Sequence, residues 1–139
     1  MAISTATLTV TVTESLKLNG VTYGNTTTKS IGNCGESIQK AISVDHDSSK
    51  TLLSFSSATE RDNFVYFRVK NADASNFVTL KLYGAVSAAH QVKILAGESF
   101  ETTCNEIWDF TAVAWDKIER ITVQSDTGAC DVEFYFVSK

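Results

Sequence analysis

Proline is absent from this 139-residue chain, where average usage would supply about seven. Its absence excludes proline-rich linkers and stalks and leaves every tight turn to Gly, Asn, Asp or Ser. Cysteine is sparse, with Cys34, Cys104 and Cys130 far apart and odd in number. No C-x2-C pair exists to open a zinc site, and a disulfide framework would need more cysteines, in an even number. Three reduced thiols are the expectation, with a single bridge from Cys34 to Cys104 as the alternative. Positive charge is also in short supply. Twelve Lys and Arg face sixteen Asp and Glu, for a net charge of −4 and a pI near 5.1. An acidic chain without a basic cluster is poorly suited to gripping nucleic-acid phosphates. No apolar run reaches the roughly 18 residues of a membrane-spanning helix. The first residues lack the basic and apolar regions of a secretory signal, so synthesis and retention in a cytoplasm are expected.

What is present is ordinary globular composition, 43% hydrophobic and 20% charged, too apolar for disorder. The length suits one domain with one real core. Thr7 to Thr13 alternates polar and apolar residues, a half-buried strand with Leu8, Val10 and Val12 on one face. Leu16, Lys17 and Leu18 lead into Asn19-Gly20 and then Val21, Thr22 and Tyr23. Asn-Gly between apolar runs is a strong hairpin signal, because both residues tolerate positive φ. Thr26 to Ile31 reads as extended and Gly32 to Gly35 as a loop.

Further strands are expected at 38–44, 51–55, 64–71, 77–83, 91–95, 99–103, 118–125 and 130–137. Val65, Phe67 and Val69 share one face of their strand; Tyr66, Arg68 and Lys70 share the other. Val78, Leu80 and Leu82 point inward, as do Cys130, Val132, Phe134 and Phe136. Residues 105–117, with Ile107, Trp108, Phe110 and Trp115, fit either a short helix or an irregular loop on the core. Gly-Glu-Ser at 35–37 and 97–99 reads as repeated turn chemistry. Short strands at regular spacing with clean alternation predict an all-β, antiparallel β-sandwich of jelly-roll type. Residues 1–33 form a strand-and-hairpin arm on a sandwich of residues 34–139, within one compact unit.

Chemistry is thin. His46 lies between Asp45 and Asp47, but three adjacent residues of an extended loop cannot all face one ion, so a solvated turn is expected. Asp45-x-Asp47-x-Ser49 opens like a calcium loop, yet Lys50 stands where glycine is needed and Ser56 where the bidentate Glu is needed. There is no G-x-S-x-G elbow, phosphate loop or dinucleotide fingerprint. Nothing marks a base for Cys34, and no pair of carboxylates stands out by spacing. Asn25-Thr26-Thr27 fits the glycosylation pattern, which means little without a secretion signal. The expectation is a non-enzyme with no catalytic residues, no metal and no cofactor. Tyr66, Arg68, Lys81 and Tyr83 lie on outward faces, as does Tyr135, and could form a protein interface. Trp108 and Trp115 either cap the sandwich or stack on sugar rings.

Three patterns carry a resemblance: Glu14 to Asn25, Phe64 to Asn71 followed by Asn76 to Leu82, and Val92 to Phe100. Taken in order, they resemble small virion structural proteins of marine tailed bacteriophages, including cyanophages. The likeness runs along most of the chain through strand-and-turn patterns, each weakly specific alone. It implies a particle component without catalytic or ligand residues. The leading expectation is therefore a capsid decoration, or cement, protein on the virion surface. It would bridge major capsid subunits, assemble as a homo-oligomer with a trimer favoured, and bind neither nucleic acid nor membrane. The contact residues expected are Leu8, Val10, Val12, Leu16, Leu18, Val21 and Tyr23, with the arm adding to a neighbour's sheet edge. An equal alternative keeps that strand in its own sandwich. The competing readings are a carbohydrate- or receptor-binding module of a tail fibre, using Trp108, Trp115 and the acidic loop, and a head–tail connector.

Overall fold

A computed structural model describes residues 5–85 and 90–139. The chain divides into two compact units, residues 1–35 and 36–139, and the described residues are dominated by antiparallel strands.

The first unit holds β1 (Ala6–Thr13), β2 (Leu16–Leu18), β3 (Val21–Tyr23) and β4 (Thr26–Cys34). β1 pairs with β4, and β2 with β3. Asn19 and Gly20 have φ of 50° and 81°, so the Asn-Gly turn takes the left-handed backbone that a two-residue hairpin demands. Within the segment read as a loop at 32–35, residues 32–34 are instead the end of β4. Ala6 faces Cys34 and Leu8 faces Ile31, so β4 carries one extra residue there. Asn33, at φ 61°, absorbs it as a bulge, which accounts for the loop-like composition.

The second unit begins with β5 (Glu36–Val44), β6 (Lys50–Ser54), α1 (Ala58–Asp62), β7 (Phe64–Asn71) and β8 (Val78–Gly84). It continues with β9 (His90–Ile94), β10 (Ser99–Thr102), β11 (Glu106–Asp109), β12 (Ala114–Ser125) and β13 (Cys130–Ser138). One sheet runs β10-β7-β13-β5; the other runs β11-β12-β8-β9, with β6 also on β12. The pairings are nested: β5 with β13, β6 with β12, β7 with β10 and β8 with β9. Side chains from both sheets share one core, including Phe67, Val69 and Val132 from the first and Leu80, Ile121 and Val123 from the second.

Three bulges adjust the alternation, one of them in β12 between Ile118 and Arg120. Leu53 faces Ile121 and Thr51 faces Thr122, so β6 has an extra residue and both Leu52 and Leu53 become buried. Tyr66 faces Val137 and Phe64 faces Ser138. The extra residue, Val65, moves Phe64 into the core cluster with Phe67 and Val69 in the place expected for Val65. Val65 is buried outside that cluster.

Residues 105–117 form neither a helix nor an irregular loop. β11 and β12 make a hairpin in which Trp108 faces Trp115. The one short helix among the described residues lies in a stretch read as non-strand. Ser57 caps it by accepting from the Glu60 N–H at 3.2 Å, and the Glu60 carboxylate accepts from the Ser56 N–H and hydroxyl. These donors hold the Glu60 carboxyl below the usual carboxylate range.

Candidate interaction surfaces

The arm is the first candidate. Its two-stranded ribbon offers little shelter for apolar groups. Leu8, Val10 and Ile31 are half-buried, while Val12, Leu16, Leu18, Val21 and Tyr23 are exposed, Leu16 by 59% and Tyr23 by 54%. The seven arm residues expected to make contacts therefore lie on one ribbon-and-hairpin unit. The ribbon is closed by Thr pairs, with Thr11 and Thr28 hydroxyls 3.4 Å apart and Thr26 donating to Thr13 at 3.4 Å. Glu14 N–H donates to the Asn25 carbonyl at 2.9 Å and carries the ribbon toward β2. An isolated two-stranded ribbon is marginal in water unless its apolar face meets another surface.

The second candidate is the β11–β12 hairpin. Trp108 and Trp115 rings meet edge to face at 5.2 Å, and Phe110 packs edge-on against Trp108 at 6.5 Å. His90 Nε2 lies 2.5 Å from the Trp108 carbonyl oxygen. A carbonyl only accepts, so Nε2 carries the proton. Asp109 is buried and its Oδ1 accepts from the N–H groups of Thr111 and Ala112 at 2.8 and 3.2 Å. Val113 has φ 53°, a strained backbone for a β-branched residue. Phe110 is 78% exposed and Trp115 65%, so Trp115 does not cap the core; Trp108 is half-buried.

The outward tyrosine set is not one surface. Tyr66 and Arg68 lie on β7 of one sheet, and Lys81 and Tyr83 on β8 of the other. Tyr66 is only 6% exposed, against the expectation of an interface residue. Its ring packs on Tyr135 at 6.0 Å, and its hydroxyl donates to Glu101 at 3.1 Å. Burial first, then the Glu101 bond, pushes its pKa up to about 12. Alternation correctly places Tyr66 on the outer face but says nothing about what covers it. Tyr83 is half-buried beneath the Arg120 guanidinium, 4.2 Å from the ring centre. Arg68 lies beside a shallow cavity of about 230 Å³ with Lys40 and Glu133. A larger cleft of about 440 Å³ lies along β5 and β6, with Ile38, Leu52, Phe55 and Phe136 inside and Glu36 and Glu60 among its polar lining.

The residues with chemical potential are dispersed. His46 pairs with Asp47 at 2.8 Å in an exposed loop, and His90 holds a backbone carbonyl. All three cysteines are free, Cys34 and Cys130 buried and Cys104 exposed. The Cys130 thiol is pushed up by burial and touches the Ser125 hydroxyl at 3.0 Å. Among the described residues no cluster of three His, Cys, Asp or Glu could hold a metal ion, and no helix is long and apolar enough to cross a membrane. Compared with known proteins, the chain matches no family model and no curated sequence.

Proposed function

We propose that residues 36–139 are a jelly roll and that the chain is a non-enzymatic virion structural protein, a capsid decoration protein that binds the major capsid lattice. Nested pairing of first with last, second with second-last and so on inward is what folding one long hairpin over itself produces, the arrangement of jelly rolls. That architecture occurs in capsid proteins, but architecture alone does not define function. The ordered resemblance of residues 14–25, 64–71 with 76–82, and 92–100 to phage virion proteins supplies the class. The observation that carries the binding mode is the arm. Leu16, Leu18, Val21 and Tyr23 stand exposed together, as residues do where a partner will cover them. Many copies, each making a modest contact, would hold a lattice by avidity.

Peptide mass spectrometry on purified particles of the encoding virus tests this reading. A copy number near that of the major capsid protein, or a simple fraction of it, is expected. Absence from particles overturns it. In reconstitution, removal of residues 1–35 should abolish binding to empty capsids, and undiminished binding would eliminate the arm as the contact.

The exposed Trp115 and Phe110 rings favour a second reading, a sugar-stacking receptor module. A glycan array with Trp115→Ala as control separates the two, since decoration needs no glycan.

A further inference from the structure

β1 has β4 on one side and no second neighbour among the described strands. Its other edge presents unpaired backbone N–H and C=O groups. Natural edge strands are usually guarded by a lysine, a proline, an inward charge or a short length. β1 spans eight residues, Ala-Thr-Leu-Thr-Val-Thr-Val-Thr, with no charge and no proline. Its one irregularity lies at the start, between Ala6 and Leu8. Such an edge pairs with another strand unless something prevents it.

The sequence of β1 indicates which strand. Its residue classes read the same in both directions about Val10. In an antiparallel pair of two β1 strands centred there, Thr7 meets Thr13, Leu8 meets Val12, Thr9 meets Thr11, and Val10 meets Val10. Every threonine faces a threonine on one side of the sheet, and every apolar residue faces an apolar one on the other. Directly opposed pairs of these kinds are favourable, and no like charges oppose each other. The Thr11–Thr28 and Thr13–Thr26 contacts within the ribbon extend the same threonine face. A surface complementary to itself by a two-fold rotation is the requirement for a closed dimer contact.

We infer that two copies of this chain associate through β1, forming a four-stranded sheet in the order β4-β1-β1-β4. The sheet carries Leu8, Val10, Val12 and Ile31 of each copy on one face, where Lys29 and Thr27 of β4 stand opposite Val10 and Val12. It turns a marginal two-stranded ribbon into the size of sheet that holds together on its own. The contact is two-fold, unlike the trimer expected from the resemblance. It concerns the free chain in solution and does not rest on the capsid reading.

Sedimentation velocity of the full chain in reducing buffer tests it through a charge pattern specific to this register. The parent protein should sediment as a dimer. Thr9→Lys/Thr11→Lys places lysine against lysine twice and should weaken the dimer at least tenfold. Thr9→Lys/Thr11→Glu places lysine against glutamate and should restore most of that loss, although both variants remove the same Thr11–Thr28 contact. As a second measurement, Val10→Cys in a Cys104→Ser background should form a covalent dimer under mild oxidation, because position 10 alone meets itself; Thr9→Cys in that background should not. A single-chain mass at the highest attainable concentration, a three-chain mass, or a dimer indifferent to both charge variants overturns the inference. A dimer without capsid binding would leave the inference standing and remove the capsid proposal.

Discussion

At the scale of single residues, two buried groups and one exposed thiol make measurable commitments. Tyr66 is neutral when buried against Glu101, and its pKa moves from the usual 10.0 to about 12. The folded state thus holds the phenolic proton more tightly than the unfolded chain. Its contribution to stability is complete below pH 10 and is lost as pH rises from about 10 to about 12. Thermal unfolding across that range should show the decline, and Tyr66→Phe should flatten it. Thr122 has a buried hydroxyl without a hydrogen-bond partner. An unpaired buried polar group costs about 1–3 kcal/mol, so Thr122→Val should stabilise the protein by about 1 kcal/mol. That would raise the melting temperature by about 4 °C for a domain of this size. Of the three thiols, only Cys104 is exposed. A thiol-reactive dye should label one cysteine promptly in the folded protein and all three only after unfolding.

At the scale of elements, the arm turn and the aromatic hairpin behave differently under substitution. Gly24 has φ 126°, and a Cβ placed there would lie 2.0 Å from the Glu14 carbonyl oxygen. Gly24→Ala should therefore spring the base of the β2–β3 hairpin open. Trypsin cleavage after Lys17 should accelerate at least tenfold, with the melting of residues 36–139 unchanged. Elements were legible where alternation was long. β7, β8, β13, β1 and the Asn19-Gly20 turn could all be read from period and turn chemistry. The β11–β12 hairpin could not, because Trp108 and Trp115 become neighbours only across a turn and along the chain look like a scattered aromatic run. The helix is marked in the sequence only by the cap signature of Ser57-Ala58-Thr59-Glu60; five residues are too few to show a helical period. The bulges at Val65 and Asn33 leave no mark on the alternation, which assumes an unbroken ladder. For the candidate surfaces, the apolar arm residues were visible as a group, whereas the burial of Tyr66 by Glu101 and Tyr135 was not, since it depends on neighbours distant in sequence.

At the scale of the whole molecule, the two units divide the labour of stability. Among the described residues, the core of the second unit is built from Val44 onward, with Ile38 and Ile42 packed against it. β13 lies between β7 and β5 at the centre of its sheet and supplies Val132, Phe134 and Phe136 to the core. Because the first strand of this unit pairs with the last, the sheet cannot close until the chain is nearly complete, and loss of either end of the nest is felt throughout. Two truncations should separate these roles. A chain beginning at Glu36 should keep its β-rich circular dichroism and melt within about 2 °C of the full protein, because only an exposed ribbon has gone. A chain ending at Gly128 should fail to fold, since two core strands lose their common neighbour and several large apolar side chains lose their burial, each worth about 2–5 kcal/mol. If the first truncation instead unfolds the protein, the arm is part of the cooperative unit, and the exposed apolar residues along β1 to β3 have a structural role in their own chain, leaving less reason to seek their partner elsewhere.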